Sequence, residues 1–208
     1  MRHVKEKRKL WMPVLLMAIF AITRWPGIMP PNFSAAYALV FCAGVYFPRR
    51  MAWWLPLTTM FVTDLVMNLF YYQTSPIDDR MVVNYLAYGA IIFLGQRFKP
   101  RLSWLALLSG GLLGAILFYV VTNTASWLLD PVYSKTIFGW IQALTVGTPG
   151  WPHTWEFFRN TLLSGGLFTG LFAGAMKLGG TVEAEAEEDD KEKAEPKGEE
   201  AAPEEAKA

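Results

Sequence analysis

An acidic residue inside a long apolar segment is the feature of this sequence that most restricts its fold. The segment covers residues 51–72, MAWWLPLTTMFVTDLVMNLFYY, and it carries Asp64 in its interior and Asn68 one helical turn later. A membrane-spanning helix needs about 20 mainly apolar residues. An ionisable side chain inside such a helix normally faces a partner or a wet cavity. We therefore expect Asp64 to mark a functional site within a membrane helix.

Similar apolar segments recur along the first 178 residues, and 53% of the 208 residues are hydrophobic. Short polar or proline-containing turns separate six segments that we predict to span the membrane: residues 10–25, 34–47, 51–72, 80–96, 102–129 and 155–178. The segment KTIFGWIQALTVG is too short to span, so we expect an interfacial or re-entrant helix there. The predicted fold is an all-α membrane protein with a six-transmembrane-helix bundle.

Charge is distributed very unevenly and divides the chain into three parts. Residues 1–178 carry a net charge of +9, and residues 179–208 carry a net charge of −8. We predict a basic cytoplasmic N-terminus over residues 1–9, the transmembrane domain over residues 10–178 and an acidic tail over residues 179–208. The tail lacks the apolar residues that would offset its ordering entropy, so we expect it to be disordered. A solvated tail is favoured, and a docking tail for a basic partner is the alternative.

The distribution of basic residues predicts the orientation in the membrane. With the N-terminus inside, eleven basic residues of the first 178 fall on the cytoplasmic side and four fall outside: Arg24, Arg80, Lys135 and Arg159. Basic residues favour the cytoplasmic side, and tryptophans favour both interfaces. All nine tryptophans are assigned to one of the two membrane interfaces, four to the inner and five to the outer, and none to the middle of the membrane. We expect a multi-pass protein of the cell inner (plasma) membrane with both termini in the cytoplasm.

Polar side chains are concentrated in the predicted outer half of the bundle. Asp64 lies about 20 Å above the inner boundary at 1.5 Å per residue. We predict a ligand pocket at this depth, formed by Asp64, Asn68, Asn84, Asn123, Trp127, Arg159 and Asn160. Arg159 could reach down to pair with Asp64. Alternatively, Arg159 extends to lipid headgroups and Asp64 accepts hydrogen bonds from threonine or tyrosine neighbours.

The sequence contains no pattern that indicates catalysis, a metal site or a cofactor. One cysteine, Cys42, and two histidines make a transition-metal site improbable. There is no G-x-S-x-G nucleophile elbow, no P-loop, and no second intramembrane acid beside Asp64. The basic N-terminus is better explained as a topology signal than as a nucleic-acid site. We therefore expect a protein that is not an enzyme and does not bind nucleic acid.

Glycines recur at four-residue spacing on two of the predicted helices. Gly166, Gly170 and Gly174 lie on the last segment, and Gly110 and Gly114 lie on the fifth. Such spacing lets helix backbones approach closely. We favour internal packing of these faces, with contact to a partner subunit as the alternative.

Several sequence blocks resemble an uncharacterised bacterial family of predicted six-helix membrane transport proteins. The blocks are NFSAAYALVFCAGVYFPRR, LPLTTMFVTDLVMNLF, VTNTASWL, YSKTIFGWIQAL and FFRNTLLSGGLF, and they fall within residues 32–178. That family is similar to the substrate-binding S components of energy-coupling-factor (ECF) vitamin transporters. The most specific parts are FVTDL, VTN and FFRNTLL.

The resemblance implies a six-helix bundle with an outward-opening pocket for a small, vitamin-like molecule. It also implies transport powered by a separate energising membrane subunit with ATPases. An A-x-x-x-A face on the first helix would dock that subunit, but Ala18 and Ala21 are three residues apart, so this motif is absent. The protein could therefore act without such a subunit or with a different partner, and both alternatives stay open. The alternative function is a non-transporting membrane scaffold or assembly protein, for which we expect no outer cavity.

Overall fold

The computed structural model describes residues 2–77 and 79–194, with side chains described for residues 13–77 and 80–179. Within this part of the chain there are seven α-helices and no strand. The helices are α1 (Arg2–Thr23), α2 (Ala36–Tyr46), α3 (Arg49–Val66), α4 (Asp79–Gly95), α5 (Trp104–Leu129), α6 (Ile137–Thr145) and α7 (Thr154–Ala194). The all-α prediction is confirmed.

Helix α2 is the centre of the bundle. Every residue from Ala36 to Val45 is buried, and α1, α3, α4, α5 and α7 all pack on this helix. A helix that is apolar all round is stable only when it is surrounded. The composition of α2, AYALVFCAGVY, therefore accounts for its central position.

Two glycines allow α2 and α4 to cross with their backbones in contact. A Cβ atom at Gly44 would lie 2.4 Å from the Ile92 carbonyl oxygen, and one at Gly95 would lie 2.4 Å from the Phe41 carbonyl oxygen. Any side chain at either position would have to displace backbone. The crossing therefore requires glycine on both helices.

The glycines of α5 also lie inside the bundle. A Cβ atom at Gly111 would meet the Thr169 side chain on α7, and one at Gly114 would meet Ile91 on α4. On α7, a Cβ atom at Gly165 would lie 2.9 Å from the Ala115 side chain, whereas one at Gly170 would meet nothing within 4 Å. Internal packing thus explains the α5 glycines. In the predicted series on α7, Gly174 is also closely packed, since a Cβ atom there would lie 3.0 Å from the Trp104 ring, whereas Gly170 is not.

Helix α3 changes its geometry just after Asp64. Residues Met67–Tyr72 form a π-helical segment, which ends at Gln73 in the left-handed conformation with φ 52°. Short π-helical segments are rare, and many occur at functional sites. The residues 51–72 that we predicted as one helix are therefore all helical, but the last six of them have the wider π-helical geometry.

Two of the described helices are long and apolar enough to cross a membrane, namely α5 and the part of α7 from Thr154 to Gly179. Shorter apolar helical stretches are found at Pro13–Thr23, Ala36–Tyr46 and Arg80–Gly95. These helices are compatible with the membrane location that we expected. The arrangement with six spans stays a prediction.

The region after the bundle differs from our expectation. The backbone of α7 is helical as far as Ala194, although we expected disorder from residue 179. Glutamate, alanine and lysine dominate this stretch, and all three are strong helix formers. Residues 195–208 lie outside the described part, and the division of the chain into three domains stays a prediction.

Candidate functional site

The Asp64 carboxylate forms an ion pair with Arg24, the first residue after α1. Arg24 Nη2 donates to Asp64 Oδ1, and Arg24 Nη1 donates to the Thr63 hydroxyl at 2.9 Å and to the Met60 carbonyl oxygen at 3.3 Å. The guanidinium carbon also lies 5.6 Å from the centre of the Phe20 ring. The end of α1 is therefore attached to α3 through one arginine.

A tyrosine from α4 completes this group. The Tyr85 hydroxyl donates to Asp64 Oδ2 at 2.9 Å, so both carboxylate oxygens have a partner. The side chains of Arg24 and Asp64 are only 16% and 15% exposed. A charge in such a position needs its partner, because removing one member leaves the other uncompensated. We call Arg24, Asp64 and Tyr85 the charged cluster.

A cavity of about 550 Å³ lies beside the charged cluster, and the loop between α1 and α2 forms a large part of its wall. Arg24 connects the cavity to the charged cluster, since it lines the cavity and also binds Asp64. The remaining wall comes from α2, the π-helical segment, α4 and α5, and includes Tyr37, Met67, Tyr72, Asn84, Tyr88 and Phe118. We call this space the loop cavity.

The π-helical segment contributes two of these wall residues because of its geometry. A π-helical hydrogen bond joins residues five apart, so Met67 and Tyr72 are brought to the same side of the segment. Both line the loop cavity. The change from α to π geometry therefore lets two residues of this segment, rather than one, line the cavity.

Aromatic rings form one part of the wall of the loop cavity. The Tyr88 and Phe118 rings stack with centroids 4.9 Å apart and an interplanar angle of 19°. The Tyr37 ring packs against Phe118, also at 4.9 Å. Rings that are packed in this way are held rigidly by their neighbours. The cavity thus offers fixed aromatic surfaces beside the Asn84 amide and the Arg24 guanidinium.

Two contacts with other parts of the bundle hold the loop between α1 and α2 in place. The Asn160 side-chain amide on α7 donates to the Pro31 carbonyl oxygen at 2.9 Å. Trp25 packs edge-on against Tyr71 of the π-helical segment, with centroids 6.2 Å apart. Between these contacts, Gly27 adopts a φ of 88°, which favours glycine. The loop is therefore anchored to α7 and to the π-helical segment.

The seven residues predicted for the pocket are only partly brought together. Asn84 lines the loop cavity. Asp64 does not line it but binds Arg24, which does. Asn160 donates to the loop between α1 and α2 that borders the cavity. The Asn68 side chain instead donates to the Pro76 carbonyl oxygen at 3.2 Å. The assignment of these residues to a ligand stays a prediction.

The other three residues lie away from the loop cavity. Asn123 donates to the Tyr119 carbonyl oxygen of its own helix at 2.8 Å, and Trp127 donates to the Ser134 carbonyl oxygen at 2.9 Å. Arg159 is exposed, with its guanidinium carbon 5.7 Å from the centre of the Trp155 ring. The pairing of Arg159 with Asp64, which we considered, is therefore replaced by the pairing with Arg24. The expectation that a tyrosine or threonine neighbour donates to Asp64 agrees with the Tyr85 contact.

Sequence reasoning missed Arg24 as a member of the site, and a signal for it was present. An acid within a membrane helix is normally paired, and Arg24 is a basic residue at the predicted outer end of the first segment. Its distance of 40 residues from Asp64 along the chain hid the pairing. Tyr37 and Phe118 were missed because aromatic residues in apolar helices usually belong to the core.

The chemical groups at the site are one carboxylate, one guanidinium, a side-chain amide and aromatic rings. Among the residues whose side chains are described, no group of three His, Cys, Asp or Glu residues could hold a metal ion. The Asp64 carboxylate is occupied by Arg24 and Tyr85. Amide, guanidinium and aromatic surfaces remain for a ligand in the loop cavity.

Comparison with known proteins places the chain in a family without naming an activity. No curated protein and no solved structure matches the chain. Residues 4–186, which include all of the site described above, match a protein family described as a family of unknown function, DUF6580. The chain therefore belongs to the family of unknown function DUF6580.

Proposed function

We propose that this protein is a membrane solute-binding component that takes up a small, vitamin-like molecule through the loop cavity. The single observation that carries the proposal is the cavity of about 550 Å³ beside the charged cluster. This volume lies within the range of about 300–1,000 Å³ that is typical of small-molecule sites. Its wall also combines apolar rings with a few fixed polar groups, as such sites usually do.

The bundle is proposed to span the inner (plasma) membrane six times, through α1, α2, α3, α4, α5 and α7, with both termini in the cytoplasm. Large apolar side chains exposed on the outside of four helices support this arrangement. They include Val62 and Val66 on α3, Leu69 on the π-helical segment that follows it, Val82, Leu86 and Phe93 on α4, Leu113, Ile116 and Val120 on α5, and Leu163, Leu167 and Leu171 on α7. Soluble proteins rarely expose continuous apolar surface of this extent.

The wall of the loop cavity supports a class of ligand. The aromatic side chains of Tyr37, Tyr88 and Phe118 in the wall suit a molecule with an apolar part, and the Asn84 amide can both donate and accept hydrogen bonds. The charge of Arg24 is balanced by Asp64, so the site favours an uncharged or weakly anionic molecule. By the resemblance to S components, a separate energising membrane subunit with ATPases would power uptake.

A non-transporting scaffold or assembly protein is the competing proposal. It predicts that the polar groups satisfy one another and leave no cavity. The hydrogen bonds of Asp64, Asn68 and Asn123 agree with the first part of that expectation. The loop cavity does not agree with the second part, and it favours the solute-binding proposal.

Native mass spectrometry of the full-length protein, purified in mild detergent, tests the solute-binding proposal. We expect a fraction of the protein to carry a co-purified molecule of small mass, which can be released and identified. In the Asn84→Leu variant, the loss of one polar contact in the cavity should lower occupancy at fixed ligand concentration about tenfold.

The matched control is Asn123→Leu, the same chemical change on a helix at similar depth but outside the cavity. Its occupancy should equal that of the original protein, because Asn123 binds only a carbonyl of its own helix. If no small molecule is bound under any condition, or if both variants lose it equally, the solute-binding proposal is wrong.

A further inference from the structure

A second recess lies on the outside of the bundle between α3 and α4, away from the loop cavity. Its volume is about 770 Å³, and its wall includes Arg49, Arg50, Trp53, Leu57, Phe61 and Tyr85. A Cβ atom at Gly89 would lie 3.3 Å from the Trp53 ring, so α4 closes the recess behind that ring. We call this space the α3–α4 groove.

The groove is basic at one end and apolar along the rest of its length. Arg49 and Arg50, both exposed, begin α3, and no aspartate or glutamate is among the described residues of the wall. No side chain caps the first turn of α3, since its N-cap residue is Pro48. Free backbone N–H groups and two guanidinium groups at one point favour a phosphate.

The length of the groove matches one leaflet of a membrane. Arg49 and Phe61 are twelve residues apart on one helix, which corresponds to about 18 Å at 1.5 Å per residue. Half of a bilayer hydrocarbon core is about 15 Å thick. A phosphate at Arg49 and Arg50 would therefore leave room for one acyl chain along Trp53 and Leu57, ending near Phe61.

We propose that the α3–α4 groove binds one anionic phospholipid of the cytoplasmic leaflet, with the phosphate on Arg49 and Arg50. The acyl chain lies along the apolar wall toward Tyr85. Tyr85 also belongs to the charged cluster, so the lipid contacts the same residue that fixes Asp64. Basic pockets on the cytoplasmic side of membrane helices bind acidic headgroups in this way. The inference rests on the membrane placement proposed above but not on any ligand of the loop cavity.

Native mass spectrometry with defined lipids tests this inference on the full chain. The delipidated protein is titrated in detergent with phosphatidylglycerol, phosphatidylcholine or glycerol 3-phosphate. We expect one tightly bound phosphatidylglycerol per chain, at least about tenfold weaker binding of phosphatidylcholine, and no binding of glycerol 3-phosphate. The Arg49→Gln/Arg50→Gln variant should bind phosphatidylglycerol about thirtyfold more weakly, because two charges are lost, and should no longer prefer it over phosphatidylcholine.

Arg97→Gln/Arg101→Gln is the matched control, because it removes the same charge from the neighbouring loop outside the groove. It should keep the preference. Thr58 also lines the groove, so a second variant, Thr58→Trp, should fill the groove without changing its charge and should also weaken phosphatidylglycerol binding. Equal binding of the two lipids, equal loss in both arginine variants, or binding of glycerol 3-phosphate alone would overturn the inference. A dimer that only Arg49→Gln/Arg50→Gln disrupts would place a second copy in the groove and overturn it too.

Discussion

Replacing Gly44 with alanine is expected to lower the free energy of unfolding by about 3 kcal/mol or more. A methyl group at this position would lie 2.4 Å from the Ile92 carbonyl oxygen. A backbone atom cannot rotate aside as a side chain can, so α2 and α4 would have to move apart. Because α2 contacts five other helices, the shift would disturb the whole bundle. Thermal unfolding of the purified protein in detergent measures the effect.

Gly170→Ala is the matched control for this change. It is also a glycine inside a helix, but a Cβ atom there would meet nothing within 4 Å. We expect the variant to be as stable as the original protein or slightly more stable, because alanine favours the helix over glycine. Equal stability of Gly44→Ala and Gly170→Ala would contradict the close crossing of α2 and α4.

Removing one member of the charged cluster is the second change with a large expected effect. Arg24→Ala and Asp64→Ala should each destabilise the protein by about 3 kcal/mol, because each leaves a largely buried charge without its partner. The Arg24→Ala/Asp64→Ala double variant should lose less than the two single variants together, with a coupling of about 2 kcal/mol. Unfolding in detergent measures all three variants.

Arg159→Ala serves as the control for the loss of an arginine at the same end of the bundle. Arg159 is exposed and contacts the Trp155 ring, so its removal should change stability by no more than about 0.5 kcal/mol. If the effects of Arg24→Ala and Asp64→Ala simply add, the two residues do not interact and the charged cluster is wrong.

The helices could be predicted from the sequence because their apolar segments are separated by clear breaks. Pro48 marks the turn between α2 and α3, and the polar stretch QTSPI lies between the π-helical segment after α3 and the start of α4. The short helix α6 was predicted from the length of its apolar stretch. The burial of α2 on all sides also follows from its composition, since it has no polar face.

The site was harder to predict because it depends on contacts between distant parts of the chain. Depth along the helices predicted that Asp64 and Asn84 lie at the same end of the bundle, but depth alone cannot say which face of its helix a residue occupies. Asn123 lies at similar depth to Asn84, yet it bonds to its own helix rather than lining the cavity. The π-helical segment brings Met67 and Tyr72 to the same side of the chain, which the 3.6-residue period of an α-helix does not predict.

The continuation of α7 shows a further limit of composition. Residues 179–194 are polar, and a lack of apolar residues predicts disorder. The same stretch is rich in strong helix formers and directly extends an existing helix, so it needs no new nucleation. Continuation of a formed helix thus outweighed the compositional argument as far as Ala194.

The claim that the loop cavity opens to the outside of the cell is tested most directly by cysteine labelling in intact cells. The single native thiol, Cys42, is 2% exposed and should contribute little background. A small, membrane-impermeant thiol reagent should modify the Asn84→Cys variant from outside. The Lys99→Cys variant, exposed on the loop between α4 and α5, should react only after the cells are permeabilised. Modification of Lys99→Cys in intact cells, or an Asn84→Cys thiol that reacts from neither side, would contradict the outward cavity.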